Sequence, residues 1–331
     1  MTGSPGMRSV SHSTFGDPAK VLALTDSPIP QPGLGQVRLR TILSPIHNHD
    51  LWTVRGSYGY KPTLPAIGGS EAVGIVDALG EDVHGVSIGE RVAVASVHGT
   101  WAQYFLASAK AVIPVPDAIP DVAAAQLIAM PFSAIALLEF LNVKGGDRII
   151  QNAANGAVGK TVAMLAATRD IEVVNLVRRD DAIEQLNELG ISNVVSTEHD
   201  DWEERARAIT GGVPFNAAVD SIGGEISGKL LSLLGEDGLL VSFGSATGEP
   251  MQISSGDLIF KQAVVKGFWG AKVSASMSPK DKSRLIGELL QLVAAGKLKL
   301  PVEGVFSLGQ IADAVTTSLT PGKTGKVLLK P

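Results

Sequence analysis

Short apolar runs separated by glycine and proline occupy the first third of the chain. They read QVRLRTILSPI, AVGIVDALG, ERVAVAS and WAQYFLAS, and the segments between them are rich in turn-forming residues. Short strands at close spacing, with turn signals between them, are typical of a small β-rich domain. We therefore predict such a domain over residues 1–120.

From about residue 121 onward, apolar runs alternate with helix-like stretches. The runs are RIIQNA, IEVVNLV, SNVVS, FNAAVDSI, GLLVSFG and AVVKGFW, and stretches such as AIEQLNELG and WEERARAIT lie between them. Continuous Val/Ile-rich runs indicate buried parallel strands, and alternating helices indicate a doubly wound sheet. We therefore predict an α/β fold with a six-stranded parallel sheet over residues 121–276, and expect residues 277–331 to pack back on the first domain.

Composition narrows the class of protein. The 331 residues are 45% hydrophobic and 18% charged with a net charge of -5, which describes a soluble globular chain long enough for two domains. Such a chain lacks the basic surface on which nucleic-acid binding depends, so we expect no nucleic-acid partner. The absence of cysteine excludes disulfides, thiolate metal sites and a cysteine nucleophile.

No segment predicts a membrane span or a signal peptide. The most apolar stretch, residues 122–141, contains Gln126, Pro131 and Glu139, which favours a buried helix pair broken at Pro131. The N-terminus has no apolar core of signal-peptide length, and its first six residues are expected to form a flexible extension. We therefore expect no membrane partner and a cytoplasmic location.

Residues 148–162, RIIQNAANGAVGKTV, combine an apolar run, a turn of small residues and a helix-like continuation. A strand, a glycine turn and a helix N-terminus in this order direct backbone N–H groups and the helix dipole at an anion. The spacing matches the dinucleotide-binding fingerprint except for an alanine in its first position. We expect a dinucleotide pyrophosphate to bind at this turn, which contains Ala154, Gly156, Ala157, Val158 and Gly159.

Arg178 and Arg179 follow the next apolar run, where a dinucleotide-binding domain contacts the adenosine ribose. An acidic residue there would accept hydrogen bonds from the 2′-hydroxyl of NAD, whereas guanidinium groups suit the 2′-phosphate of NADP(H). The sequence therefore predicts NADP(H) as the cofactor. The alternative is that both arginines are solvated and pair with acidic neighbours, which are Asp180, Asp181 and Glu184.

Four segments together resemble the medium-chain dehydrogenase/reductase superfamily: RGSYGYKPTLPAIGGSEAVGIV, GDRIIQNAANGAVGK, NLVRRDD and IFKQAVVKGFW. They are most similar to the mitochondrial-type, NADPH-dependent 2-enoyl thioester reductases, and the quinone oxidoreductases share the layout less closely. The resemblance implies a GroES-like β domain built from residues 1–120 and 277–331. It also implies a Rossmann NADPH-binding domain over residues 121–276.

The resemblance also shows which positions would have to supply the ligands of a catalytic zinc site. Zinc-dependent members of the superfamily take metal ligands from a Gly-His-Glu segment and an earlier cysteine, but this chain has Gly69-Ser70-Glu71 and no cysteine. His47, His49 and Glu71 could in principle be recruited, yet a His-x-His pair in a loop is more often a hydrogen-bonding feature. We therefore expect no zinc.

By the same resemblance, Tyr58 occupies the place of the catalytic tyrosine of the enoyl reductases, whereas Tyr60 reads as an aromatic that covers the core edge. A phenol is protonated at neutral pH, so it can donate to an enolate oxygen or deliver a proton to carbon. The resemblance places the remaining cofactor and pocket residues at Asn48, Ser133, Asn152, Gly223, Phe243, Gly244, Phe268, Trp269 and Lys326.

The expected activity is a metal-free transfer of hydride from NADPH to an activated C=C bond, that of a 2-enoyl thioester of coenzyme A or acyl carrier protein. The alternatives are a quinone or alkenal/alkenone reductase, a zinc alcohol dehydrogenase, and a nucleotide-binding protein without catalysis. The apolar run AVVKGFW predicts a sheet edge that pairs across a homodimer.

Overall fold

The computed structural model describes residues 6–331 and forms two compact units. Unit 1 contains the chain up to Ala129 together with Leu300–Pro331, and unit 2 contains Met130–Lys299. The flexible extension expected over the first six residues lies outside the described residues, except for Gly6, which is the first residue of a strand.

The strands are, in chain order, β1 (Gly6–His12), β2 (Ala23–Pro28), β3 (Gln36–Pro45), β4 (Ala66–Ile67), β5 (Glu71–Leu79), β6 (Arg91–Ala95), β7 (Tyr104–Ser108), β8 (Ile113–Pro114), β9 (Arg148–Gln151), β10 (Glu172–Val177), β11 (Val194–Ser196), β12 (Phe215–Asp220), β13 (Leu234–Ser242), β14 (Val264–Gly267), β15 (Val302–Ser307) and β16 (Lys326–Lys330).

The helices are, in chain order, α1 (Pro18–Val21), α2 (Asn48–Arg55), α3 (Asp121–Ala124), α4 (Ala129–Leu141), α5 (Ala157–Ala167), α6 (Asp181–Glu188), α7 (Trp202–Ile209), α8 (Ile226–Leu233), α9 (Ser255–Lys261), α10 (Gly270–Ser276), α11 (Pro279–Ala294) and α12 (Ile311–Leu319), and a 3₁₀ turn spans Leu308–Gln310.

Unit 1 is the β-rich domain that the spacing of its apolar runs predicts. One sheet has the strand order β2-β1-β4, and the other runs β15-β16-β3-β5-β6-β8, with β7 paired to β3. Most of these pairs are antiparallel. In β3 the buried positions alternate at Val37, Leu39, Thr41 and Leu43, which is the period expected of a strand with one face in the core.

Unit 2 contains one sheet of six parallel strands in the order β11-β10-β9-β12-β13-β14. Its central strands are buried on both faces, as at Ile150, Val174, Ala218 and Leu240, which are fully inaccessible to solvent. The predicted α/β class, with a β-rich unit and a doubly wound parallel sheet, is therefore confirmed.

The compact units differ from the predicted domain boundaries, because unit 2 extends to Lys299 rather than ending at residue 276. Helix α11 buries Leu285, Leu289 and Val293, one face at four-residue spacing. The carboxylate of Glu288 on the same helix pairs with the guanidinium of Arg169 at 3.0 Å. This pair lies within unit 2, and the chain returns to unit 1 only after α11.

The predicted helix pair over residues 122–141 is present as α3 and α4, but it does not break at Pro131. Pro131 is the third residue of α4, in the first turn, where a missing N–H removes no intrahelical hydrogen bond. The break lies between Ala124 and Ala129. Within residues 6–331, no helix combines the length and apolar character that crossing a membrane would require.

Helix α5 approaches the end of β9 so closely that a side chain at Gly159 has no room. A Cβ atom there would lie 2.7 Å from the Cα of Ala154 and 2.9 Å from the carbonyl oxygen of Ala153. Gly287, in the middle of α11, is the contrasting case, because a Cβ there meets nothing within 4 Å.

This contrast predicts opposite effects of the same substitution in two helices. Gly159→Ala should lower the free energy of unfolding by about 1–3 kcal/mol, because the clash is with backbone that cannot rotate away. Gly287→Ala should raise it by up to about 1 kcal/mol through helix propensity alone. Urea unfolding followed by circular dichroism measures both, and equal stabilisation by the two variants would contradict the close approach at Gly159.

Candidate functional site

The expected cofactor residues of unit 2 lie where the parallel strands end. Asn152 follows β9, Arg178 follows β10, Gly223 closely follows β12, Phe243 follows β13 and Phe268 follows β14. Because these strands are parallel and adjacent, their carboxyl ends form one edge of the sheet. Open α/β sheets bind ligands at this edge.

The glycine turn between β9 and α5 has the form expected of an anion cradle. Ala153 adopts a positive φ of 50°, and Gly156 is the N-cap of α5 in an extended conformation. The N–H groups of Ala157, Val158 and Gly159 lie in the first helical turn, where no intrahelical acceptor exists. Three N–H donors and the helix dipole therefore fit a pyrophosphate at this point.

Buried hydrogen bonds join β9 to β12 beneath this turn. The side-chain amide of Asn152 donates to Asp220 Oδ1 at 2.7 Å, and its oxygen accepts from the N–H of Ser221 at 2.7 Å. Asp220 Oδ1 also accepts from the N–H of Gly223 at 3.1 Å, and Gly223 has a φ of 82°. Asn152 thus lies at the expected edge with its carboxamide engaged inside the protein, and its contact with a nicotinamide stays a prediction.

The two arginines after β10 differ in their surroundings. Arg178 is exposed and has no hydrogen-bond or ion-pair partner within the described part of the chain. Arg179 is half-buried and pairs with Asp181, Nε to Oδ1, at 3.2 Å. The alternative in which both arginines pair with acidic neighbours therefore holds for Arg179 alone, and Arg178 remains available to an anion.

Asp180, the next residue, pairs with the imidazole of His199 at 2.9 Å. Hydrogen bonding and charge lower the pKa of Asp180 and raise the pKa of His199. Neither sequence position had suggested this pair, which connects the loop after β10 to the loop after β11.

An aromatic cluster lies at the ends of β13 and β14. The Phe268 ring stacks on Phe243 with centroids 5.6 Å apart and meets Phe140 of α4 edge-on at 5.3 Å. Phe268 is buried, but Trp269 is 70% exposed. The expected Phe-Trp pair is therefore divided between a core residue and a surface residue.

Ser133 and Gly244 lie in the same part of unit 2. The position of a Cβ atom on Gly270, next to Trp269, is 3.7 Å from the Ser133 hydroxyl oxygen. Gly244 directly follows Phe243, and its N–H donates to the carbonyl oxygen of Asp220 at 3.2 Å.

The expected residues of unit 1 are Asn48, Tyr58 and Lys326. Asn48 is exposed as the first residue of α2, and Lys326 is half-buried as the first residue of β16. Tyr58 is 42% exposed and lines a cleft of about 660 Å³ together with Tyr60 and other residues of unit 1. The Tyr58 hydroxyl has no hydrogen-bond partner among residues 6–331.

A chain of hydrogen bonds lies beside Tyr58 in this cleft. His49 Nε2 lies 2.8 Å from Ser70 Oγ, and Ser70 Oγ donates to Asp50 Oδ1 at 2.6 Å. The other oxygen of Asp50 accepts from the backbone N–H of His47 at 3.0 Å. The His49 ring lies 5.8 Å from the Tyr58 ring, centroid to centroid.

A fully buried pair of His47 and Glu71 lies behind this chain, with Nε2 and Oε2 2.6 Å apart. The second oxygen of Glu71 accepts from the N–H groups of Ile128 and Ala129 at 2.7 and 2.8 Å. Burial raises the pKa of Glu71 to about 7, although both backbone donors act to lower it. Burial also lowers the pKa of His47, and the positive charge of Lys326 acts in the same direction.

The side chains that could in principle have been recruited by zinc are thus bonded to one another or to Ser70. His47 Nε2 and both oxygens of Glu71 are engaged, and His49 directs Nε2 at the Ser70 hydroxyl. Over residues 6–331, no three His, Cys, Asp or Glu side chains form a group that could hold a metal ion. A catalytic zinc needs three such ligands around one point.

The structure thus gathers the expected residues into two sets, one in each unit. Besides the Asp180–His199 pair, sequence reasoning missed three contacts, which are the His47–Glu71 pair, the chain from Asp50 to His49, and the Asn152–Asp220 bond. The only available signal for the first two was the density of polar residues in HNHD and GGSE, inside otherwise apolar surroundings.

Two protein families match the chain, one in each unit. The alcohol dehydrogenase GroES-like domain family matches residues 33–117, and the zinc-binding dehydrogenase family matches residues 157–287. The β-rich unit is therefore a GroES-like domain, and the parallel sheet belongs to a Rossmann domain of the dehydrogenase type.

Solved structures share the complete fold. A mycobacterial quinone oxidoreductase superposes with a TM-score of 0.87 at 26% identity, covering 98% of this chain and 100% of that one. A mycobacterial protein solved in complex with NADPH gives a TM-score of 0.85 at 26% identity, with the same coverage of 98% and 100%.

Relatives that match along nearly the whole chain narrow the family. The human mitochondrial enoyl-[acyl-carrier-protein] reductase is 32% identical over 98% of this chain and 88% of its own length. The Arabidopsis thaliana protein of the same name is 32% identical over 91% of this chain and 82% of its own length. The chain therefore belongs to the medium-chain dehydrogenase/reductase superfamily of oxidoreductases, together with the mitochondrial enoyl-[acyl-carrier-protein] reductases.

Proposed function

We propose that this protein is an NADPH-dependent, metal-free reductase of an activated C=C bond, with a 2-enoyl thioester as substrate. The observation that carries the proposal is Tyr58, a phenol that lines the unit 1 cleft and whose hydroxyl has no partner among the described residues. The enoyl-[acyl-carrier-protein] reductases are relatives along nearly the whole chain, and they supply the substrate class.

NADPH binding rests on the edge of the unit 2 sheet. The first-turn N–H groups of α5 would hold the pyrophosphate, and Arg178 would bind the 2′-phosphate by charge-assisted hydrogen bonds. A neighbour at 26% identity has been solved with NADPH, which supports this choice of cofactor. When bound, the nicotinamide supplies hydride to the β-carbon of the substrate.

Tyr58 supplies the hydrogen bond or the proton that the reaction still requires after hydride transfer. Addition of hydride to the β-carbon leaves negative charge on the thioester oxygen and the α-carbon. The Tyr58 hydroxyl donates to that oxygen or delivers its proton to the α-carbon, and hydrogen bonding thereby replaces a metal in activating the carbonyl. The engagement of His47 and Glu71 with each other supports a metal-free site.

A quinone is the second candidate substrate, and one feature of the cleft favours it. Tyr60 and His98 stack with centroids 4.2 Å apart and an angle of 13° between their planes, forming a flat surface against which a ring could lie. A quinone oxidoreductase is also among the structures that share the fold.

A cytoplasmic location stays a prediction, since the relatives named above are mitochondrial.

We also propose that the protein is a homodimer. Strand β14 lies at the edge of the unit 2 sheet, and Val264 on it is 50% exposed. An apolar edge strand is a template for pairing with another chain, and a second copy of this chain would cover it.

Tyr58→Phe tests the catalytic assignment and the substrate class together. With NADPH and crotonyl-coenzyme A, kcat should fall by about 10²–10³, because one preorganised donor is lost from the transition state. Tyr60→Phe is the matched control and should stay within about threefold of the unmodified enzyme. Unchanged turnover by Tyr58→Phe would remove Tyr58 from the mechanism, and a higher kcat/KM for 1,4-benzoquinone than for the thioester would favour the second candidate.

Arg178→Gln tests the choice of cofactor. The Kd for NADPH should rise by about 10–100-fold, the equivalent of one lost charged hydrogen bond, while the Kd for NADH should not change. Arg179→Gln should have a smaller effect, because its guanidinium is already paired with Asp181. Fluorescence titration measures all four constants, and an equal loss for NADPH and NADH would argue against a 2′-phosphate contact.

Light scattering tests the dimer. The unmodified protein should have twice the mass of its 34.4 kDa chain, and Val264→Asp should shift it to monomer by placing like charges together at the edge. Val305→Asp, on the exposed edge strand of unit 1, is the control and should leave the mass unchanged. A monomeric unmodified protein at micromolar concentration would contradict the proposal.

A further inference from the structure

Ser70 fixes the protonation pattern of His49. A serine hydroxyl has one proton, and the Asp50 carboxylate beside it can only accept, so the Ser70 proton is given to Asp50. The Ser70 oxygen must then accept from His49, whose Nε2 lies 2.8 Å away. His49 therefore carries its proton on Nε2, and Nδ1 presents a lone pair.

Asp50 is the anchor of this series of hydrogen bonds, because the interior of unit 1 holds its side chain in place. Asp50 is only 5% exposed, and its second oxygen is held by the backbone N–H of His47 at 3.0 Å. Asp50 Oδ1 also lies 3.6 Å from His49 Nε2. A carboxylate, a hydroxyl and an imidazole in this order prepare the far nitrogen of His49 to take up a proton.

His49 lies between this anchor and Tyr58. Its side chain is 25% exposed, it lines the same cleft as Tyr58, and the two rings are 5.8 Å apart and inclined at 31°. Nδ1 has no hydrogen-bond partner among residues 6–331. Solvent can therefore reach part of the imidazole, and the phenol ring is its neighbour in the same cleft.

The other charged or titratable groups near His49 do not compete for this role. His47 stacks on it with centroids 5.0 Å apart but is fully buried and bonded to Glu71. Glu71 directs both oxygens away to His47 and to backbone N–H groups, and Lys326 is near enough to affect the pKa values of that pair.

We propose that His49 is a proton-relay residue that returns a proton to Tyr58 in each turnover, a step that rests on the proposed reduction of a thioester. Delivery of the Tyr58 proton to the substrate α-carbon leaves a phenolate. His49, protonated on Nδ1 from solvent, passes that proton to the phenolate and becomes neutral again. One hydride from NADPH and one proton from water are thus added across the C=C bond.

His49→Gln is the variant that separates relay from structure. The glutamine amide can still donate to Ser70, so the hydrogen-bonded chain is kept, but it cannot carry a proton to Tyr58. We expect kcat for crotonyl-coenzyme A to fall by at least about tenfold with little change in KM or in the Kd for NADPH. Added imidazole should restore kcat in a saturable way, a result that a purely structural role would not give.

Two control variants distinguish a relay from a structural role of His49. His84→Gln, at an exposed histidine outside the cleft, should keep kcat and show no response to imidazole, and Tyr58→Phe should be impaired without rescue. A kcat for His49→Gln within twofold of the unmodified enzyme, or a loss that imidazole does not restore, would overturn the relay while leaving the reductase proposal standing. An unmodified enzyme that does not reduce the thioester with NADPH, or that contains stoichiometric zinc, would overturn both.

Discussion

The buried carboxylate of Glu71 is the contact on which the site of unit 1 depends. A charge removed from water is tolerated only when its partners replace the lost hydration. Here His47 contacts one oxygen, and two backbone N–H groups at the start of α4 contact the other. With His47 held, its backbone N–H fixes Asp50, Asp50 fixes Ser70, and Ser70 fixes His49 beside Tyr58. The exposed part of this cleft is thus attached to a buried interior.

In unit 2, several polar groups lie at one edge of a parallel sheet. Parallel pairing places the ends of β9, β10 and β12 side by side. Gly159 allows α5 to approach β9 closely, and the Asn152–Asp220 bond ties the ends of β9 and β12 together. The glycine turn between β9 and α5, and Arg178, therefore occupy positions that the backbone itself determines.

Much of this architecture could be predicted from the sequence, because it depends on local pattern. Each apolar run in the second half became a strand of the parallel sheet, and the glycine fingerprint became the β9–α5 turn. The end of unit 2 could not be read in this way, since α11 is joined to it by the Glu288–Arg169 pair, a contact between distant segments. The helix break expected at Pro131 is absent, because Pro131 lies in the first turn of α4, a position that is not visible in the sequence.

The side-chain network of the site was beyond sequence reasoning for the same physical reason. His47 and Glu71 are 24 positions apart, and their contact requires the packing of α2 against the start of β5. Arg178 and Arg179 cannot be distinguished in the sequence. They differ in the structure, where Asp181 pairs with Arg179. Polar pairing at this level is decided by tertiary structure, whereas strand and turn signals are local.

A crystal structure with oxidised cofactor and a saturated acyl-coenzyme A, the product of the proposed reaction, tests the central claim most directly. We predict a 2′-phosphate bonded to Arg178, a pyrophosphate on the N–H groups of α5, and the Tyr58 hydroxyl within hydrogen-bond distance of the thioester oxygen or next to the α-carbon. A metal ion at the thioester oxygen, or an acyl group bound away from Tyr58, would contradict it.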